Sequence, residues 1–148
     1  MKIAIGCDHA GLTLKNEIAR HLRALGHEID DKGTHAAEST DYPDWAAQVA
    51  RAVAAGQVQR GVLVCGSGIG MSISANRFKG VRAVLAPSVE YARLGRQHND
   101  GNVLCLGERL TPLDEALAIT DVFLNTDFEG GRHQRRVQKM DAFAGEEA

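Results

Sequence analysis

Long apolar runs are missing: no stretch of the 148 residues approaches the ~20 needed to cross a bilayer as a helix. Cysteine is scarce and odd in number, with Cys7, Cys65 and Cys105 at no C-x-x-C spacing. That excludes a disulfide scaffold or a structural zinc knuckle and makes a reducing compartment the default. Aromatic residues are 5%, too few for the base-stacking platforms of many single-strand binders. A dominant charge is also lacking, since 17 Lys and Arg against 19 Asp and Glu leave a net charge of −2. A bulk polycation built for nucleic acid is thereby excluded, although a local cationic site is not. Internal repeats, low-complexity tracts and linkers do not occur, and the chain opens on Met1-Lys2-Ile3-Ala4-Ile5 without a signal-peptide core. The expectation is a cytoplasmic protein with neither a nucleic-acid nor a membrane partner.

What is present is ordinary globular material, 44% hydrophobic and 24% charged, in a length that suits one domain over residues 1–148. Residues 145–148 read as a loose tail. Strand-like runs alternate with segments of helical period. Lys2–Cys7 is a strand, and Leu14, Ile18, Leu22 and Leu25 then form the apolar stripe of a helix closed by Gly26. A weaker strand at His27–Asp31 precedes a helix opened by Tyr42-Pro43-Asp44, with Trp45, Val49 and Val53 on one face. Gly61–Cys65 is continuously apolar, as in a strand buried on both faces, and leads through glycines into a helix to about Arg77. Val81–Ala86 is the fourth strand, Ser88–Gln97 a helix and Val103–Leu106 the fifth strand. A helix from Thr111-Pro112 to about Asn125 and a last one after Gly130-Gly131 complete the order. This alternation predicts an α/β fold: one doubly wound, Rossmann-like, five-stranded parallel sheet with helices on both faces and a C-terminal helix.

Ligands of such sheets bind at the carboxyl ends of the strands. Asp8-His9, the run Cys65 to Gly70, and Arg109 all fall there. In Gly66-Ser67-Gly68-Ile69-Gly70, alternate glycines permit a sharp turn and point amides at a helix N-terminus. The run is either an anion cradle or simply a tight strand-to-helix turn. It is not G-x-G-x-x-G, no acid ends the next strand to hold a ribose, and the Lys-Ser/Thr of a P-loop is absent. Cys65, just before the cradle, is either a buried strand residue or a thiol whose anion the helix N-terminus favours. Ser67 is either a proton-shuttling hydroxyl or a helix cap. Cys7 and Cys105 read as core.

Arg132 and Arg136 stand one turn apart, two planar donors suited to a phosphate or a solvated basic face. Val137, Met140 and Ala144 mark the packing stripe of that helix. His98-Asn99-Asp100 precedes the fifth strand, at the wrong end of the sheet for the other clusters. Asp8, His9, His98 and Cys65 show no metal-ligand spacing, so no metal is expected.

Taken together, Gly6–Gly11, Asp41-Tyr42-Pro43, Cys65–Gly70, Arg96–Asp100 and Glu129–His133 closely resemble the B-type ribose 5-phosphate isomerases, a family with allose and galactose 6-phosphate members. The resemblance runs from residue 1 to about residue 143. It implies aldose–ketose isomerisation of a phosphosugar through an enediolate, without metal or organic cofactor. By resemblance, Cys65 is the base and His98, helped by Asp8, opens the furanose. Ser67 and the amides of residues 67–70 hold the enediolate beside Gly66, Gly68, Ile69 and Gly70. His9, Arg132, Arg136 and Arg109 hold the phosphate, and Tyr42 and Asn99 touch the sugar. Some members replace the cysteine by a glutamate six positions later; Met71 stands there in this chain, so the cysteine version is implied. Members are homodimers, or tetramers of them, whose sites take the equivalents of His98, Asn99 and Arg109 from the neighbouring subunit. Ribose 5-phosphate is the leading substrate. A sister activity on allose 6-phosphate or a tetrose phosphate, or a non-catalytic phosphometabolite-binding module, is the alternative.

Overall fold

In the computed structural model, residues 1–144 and 146 are described. The expected tail at residues 145, 147 and 148 lies outside them. Eleven elements follow in the anticipated order: β1 (Lys2–Cys7), α1 (Leu12–Ala24), β2 (Glu28–Gly33), α2 (Tyr42–Ala54), β3 (Arg60–Cys65), α3 (Ile69–Ala75), β4 (Ala83–Leu85), α4 (Val89–Gln97), β5 (Val103–Gly107), α5 (Leu113–Asn125) and α6 (Arg132–Phe143). No helix among the described residues is long and apolar enough to cross a membrane.

The five strands are all parallel in the order β2-β1-β3-β5-β4. One face packs Ile3, Ile5, Val62, Val64, Leu104 and Leu106 against Leu14, Ile18 and Leu22 of α1, Ala92 of α4 and Ile119 and Phe123 of α5. The other packs Ala4, Leu63, Val103 and Cys105 against Ala46, Val49 and Ala50 of α2 and Met71 and Ala75 of α3. The continuous apolar run of β3 is thus explained by helices on both its faces. From β1 the chain turns outward to β2 and from β3 the other way, so the switch point opens between the carboxyl ends of β1 and β3.

Several boundaries differ from the sequence expectation. β4 shrinks to Ala83–Leu85, because Asn102 ties down the preceding backbone: its amide donates to Gly80 O at 2.9 Å and its oxygen accepts from Arg82 N at 2.8 Å. α3 stops at Ala75, since the Asn76 side chain both accepts from and donates to the Ala83 backbone, covering an edge strand as a neighbouring strand would. Leu25 caps α1 and is exposed instead of completing its stripe. On α6 the buried positions are His133 and Val137, while Met140 is exposed. The stripe is displaced by one turn because His133 packs on His98.

Candidate active site

At the switch point, Asp8 directly follows β1 and Cys65 ends β3, the adjacent parallel strand. The buried Asp8 carboxylate accepts from Ala10 N at 3.0 Å and so caps the short 3-10 turn His9–Gly11. That turn projects His9, whose Nδ1 accepts from Thr40 N at 3.1 Å. Nδ1 is therefore the unprotonated nitrogen, and Nε2–H remains as a donor.

Cys65 is 5% exposed, and its Sγ accepts from Gly68 N at 3.1 Å. Ser67 Oγ accepts from Ile69 N at 3.2 Å, so the first amides of the turn close on the thiol and on the hydroxyl. Two glycines here have steric reasons. Gly68 has φ 79°, and a Cβ there would stand 2.7 Å from Leu85 and 2.9 Å from the Leu106 carbonyl carbon. A Cβ on Gly70 would collide with the Tyr42 ring, so α2 packs Tyr42 against the cradle.

Arg109 provides the cationic wall. Glu108 N donates to Cys65 O at 2.9 Å and Arg109 N to Gly66 O at 3.0 Å, extending the β3–β5 ladder past the strand ends. The guanidinium then covers Gly66, where a Cβ would meet Nη1 at 2.9 Å. Arg109, implied by resemblance to come from the neighbouring subunit, thus lies against the cradle of its own chain. The Glu108 carboxylate accepts from Leu14 N and fastens the same loop to α1.

The remaining candidates form a second group. Cys65 pairs with Gly107 at the carboxyl end of β5, whereas His98 ends α4 just before β5 begins at Val103. At about 3.3 Å per residue, the strand alone separates the two ends by roughly 13 Å. His98 stacks on His133 with ring centroids 4.3 Å apart and planes 13° apart. Glu129, whose amide donates to Gln97 O at 3.0 Å, faces both imidazoles. Asn99, Arg132 and Arg136 are exposed beside them. Burial holds the His133 imidazolium below its ordinary range, and the neighbouring His98, Arg132 and Arg136 push the same way.

Arg96 anchors this group, donating to Asp100 Oδ1 at 2.8 Å, Gly101 O at 2.7 Å and Thr126 O at 3.0 Å while almost fully buried. It clamps the His98-Asn99-Asp100 turn, with Asp100 at φ 48°, to the loop that leads to Glu129. One chain therefore carries two separated groups of candidate residues, candidate half-sites: Asp8, His9, Tyr42, Cys65 to Gly70 and Arg109 at one end of the sheet, and His98, Asn99, Arg132 and Arg136 at the other. Thr40, Glu108, Arg96, Glu129 and His133 had no assigned role from the sequence. Arg96, Glu129 and His133 stand in segments that carry the family resemblance, the i, i+4 spacing of Glu129 and His133 was a further signal, and nothing marked Thr40 or Glu108.

The chain is similar to known proteins along nearly its whole length. The family described as Ribose/Galactose Isomerase matches residues 3–140. Ribose-5-phosphate isomerase B of Escherichia coli is 53% identical over 141 residues, covering 95% of each chain. Galactose-6-phosphate isomerase subunit LacB of Clostridium acetobutylicum is 37% identical, covering 94% of this chain and 80% of that one. Among solved structures, ribose-5-phosphate isomerase B of Clostridium thermocellum superposes with a TM-score of 0.96 at 50% identity, covering 97% of both chains. The type B enzyme of Trypanosoma brucei does so at 0.92 and 47%, covering 95% of this chain and 97% of the other. On these likenesses and on its fold, the chain belongs to the ribose/galactose isomerase family.

Proposed function

We propose that the protein is a cytoplasmic aldose–ketose isomerase that interconverts ribose 5-phosphate and ribulose 5-phosphate. The observation that carries this reading is the Cys65 thiol, seated at a strand end under the amides of a glycine cradle and flanked by Arg109. Abstraction of a proton beside a carbonyl needs a base and, facing it, donors for the oxyanion, each typically contributing a few kcal/mol. Cys65 takes the C2 proton of the open-chain aldose and returns it to C1, while Ser67 shuttles the hydroxyl proton from O2 to O1. The substrate phosphate, held by His9 and Arg109 with Arg132 and Arg136, converts remote binding energy into alignment of those carbons. His98, with Asp8, opens the ring, and Tyr42 and Asn99 contact the sugar.

Because His98, Asn99, Arg132 and Arg136 sit at the far end of their own sheet, we assign them to the site of a second copy in a homodimer. Exposed Ile73, Tyr91, Leu94 and Phe143, some of them lining a cleft of about 660 Å³ beside β4, α4 and α6, offer apolar surface for such a partner.

The test compares kcat/KM for four-, five- and six-carbon phosphosugars in the parent protein and in Cys65→Ala. The five-carbon substrate should be preferred. Cys65→Ala should abolish turnover and leave phosphosugar binding within roughly tenfold. Preference for a six-carbon substrate reassigns the activity to a sister isomerase. Near-parental turnover in Cys65→Ala removes the thiol as base.

A further inference from the structure

Three metal-ligating side chains converge where α4 ends and α6 begins, outside the half-site that holds Cys65. His98 Nε2 lies 3.8 Å and His133 Nε2 3.6 Å from the same Oε1 of Glu129, and all three ligand atoms fall within 4.8 Å of one another. These separations exceed hydrogen-bond length, so the carboxylate stands between two imidazoles without being held by either. We propose that His98, Glu129 and His133 bind a divalent transition ion, with zinc the best fit, and that the bound ion reversibly inhibits the enzyme by occupying His98.

The donor chemistry selects the ion. Two imidazole nitrogens and one carboxylate suit zinc, whereas magnesium and calcium call for all-oxygen sets. With bonds of about 2.0–2.2 Å, the ligand atoms of a tetrahedral zinc stand roughly 3.4 Å apart. The two pairs that include Glu129 need close by only a few tenths of an ångström. The two histidine rings are nearly parallel, so one must turn toward the ion. His98, 38% exposed at a helix end, is free to do so, while His133 at 10% is held in the packing. Glu129, 50% exposed, leaves an entry path and a position open to water. Arg132 and Arg136 lie close enough to His133 to depress its protonation, and the same positive field opposes a dication.

The inhibitory half of the proposal rests on His98 acting on the sugar ring; the binding half does not. Metal-free protein titrated with zinc chloride in a calorimeter should take up one ion per chain. That uptake should persist in Cys65→Ser and weaken at least about tenfold in Glu129→Gln and in His133→Gln. Glu129→Gln carries the comparison, because a half-exposed side chain can be changed without disturbing packing. Zinc should also inhibit isomerisation over the same concentration range, with EDTA restoring the rate. Absence of saturable binding, binding that survives Glu129→Gln, or binding that needs Cys65 overturns the site. Saturable binding without inhibition overturns the proposal's second half. If no phosphosugar is turned over at all, the isomerase reading fails while the calorimetric result still decides the metal site.

Discussion

The amide of Gly68 donates to the Sγ of Cys65 at 3.1 Å, from a residue whose backbone lies in the left-handed region at φ 79°. The thiol is therefore held by a turn that a side chain strains. In Gly68→Ala the new Cβ would meet Leu85, which can move, and the Leu106 backbone, which cannot. The left-handed conformation alone costs about 1–2 kcal/mol for a non-glycine residue, and the clash adds to it. We expect a stability loss of about 2–3 kcal/mol in urea unfolding and a kcat more than about tenfold lower in the folded protein. Parental stability together with parental kcat would show that the turn does not govern the thiol.

The three cysteines should behave differently toward alkylation. Burial pushes the Cys7 thiol up to about 12 and drives Cys105 higher still, with Cys65 adding to the latter shift. Both are fully buried, whereas Cys65 faces the cradle. Native protein treated with iodoacetamide near neutral pH should be modified at Cys65, with Cys7 and Cys105 labelled only after unfolding. Peptide mass spectrometry distinguishes them. The Cys7 shift also has a stability consequence: the unfolded thiol ionises from about pH 9 and the folded one only near 12. This contribution is complete below about pH 9 and is lost as the pH climbs toward 12. Alkaline destabilisation should accordingly be smaller in Cys7→Ala than in the parent.

Much of the first candidate half-site is legible in the sequence, because β1 and β3 each run straight into its residues. Asp8-His9 and Cys65 to Gly70 need only the rule that parallel strands present ligands at their carboxyl ends. The second half-site is hidden by chain separation, since His98 meets Glu129 and His133 only after β5 and α5 intervene. Hydrophobic period misplaces the α6 stripe because a buried histidine is invisible to a count of apolar residues. The side of the site to which Arg109 belongs depends on two backbone hydrogen bonds past the end of β5, which no pattern of side chains encodes.

We expect Arg96 to act as a positioning residue rather than a catalytic one. Its three partners fix the turn that carries His98 and Asn99, and Asp100 also pairs with Arg82 at 3.3 Å. Arg96→Met keeps the aliphatic stem but leaves the Gly101 and Thr126 carbonyls without their donor. Loss of such buried partners costs on the order of 3 kcal/mol. A merely structural role would lower stability alone. If the clamp sets His98, kcat for the cyclic sugar should fall several-fold under conditions where the variant is fully folded. An unchanged kcat there removes the positioning role.

Assignment of the two half-sites to different chains can be tested by mixing defective subunits. Cys65→Ala spoils the half-site at the carboxyl end but leaves His98 intact, and His98→Gln does the reverse. Each homodimer is then inactive. In a heterodimer with shared sites, one site collects both substitutions while the other combines native Cys65 from one chain with native His98 from its partner. Random pairing of equal amounts makes half of the dimers hetero and restores one site in each, so the mixture should recover about a quarter of parental activity. Sites built within one chain recover none, because every chain carries a lesion. Refolding the two variants together, with each refolded alone as control, separates the two arrangements by rate measurement alone.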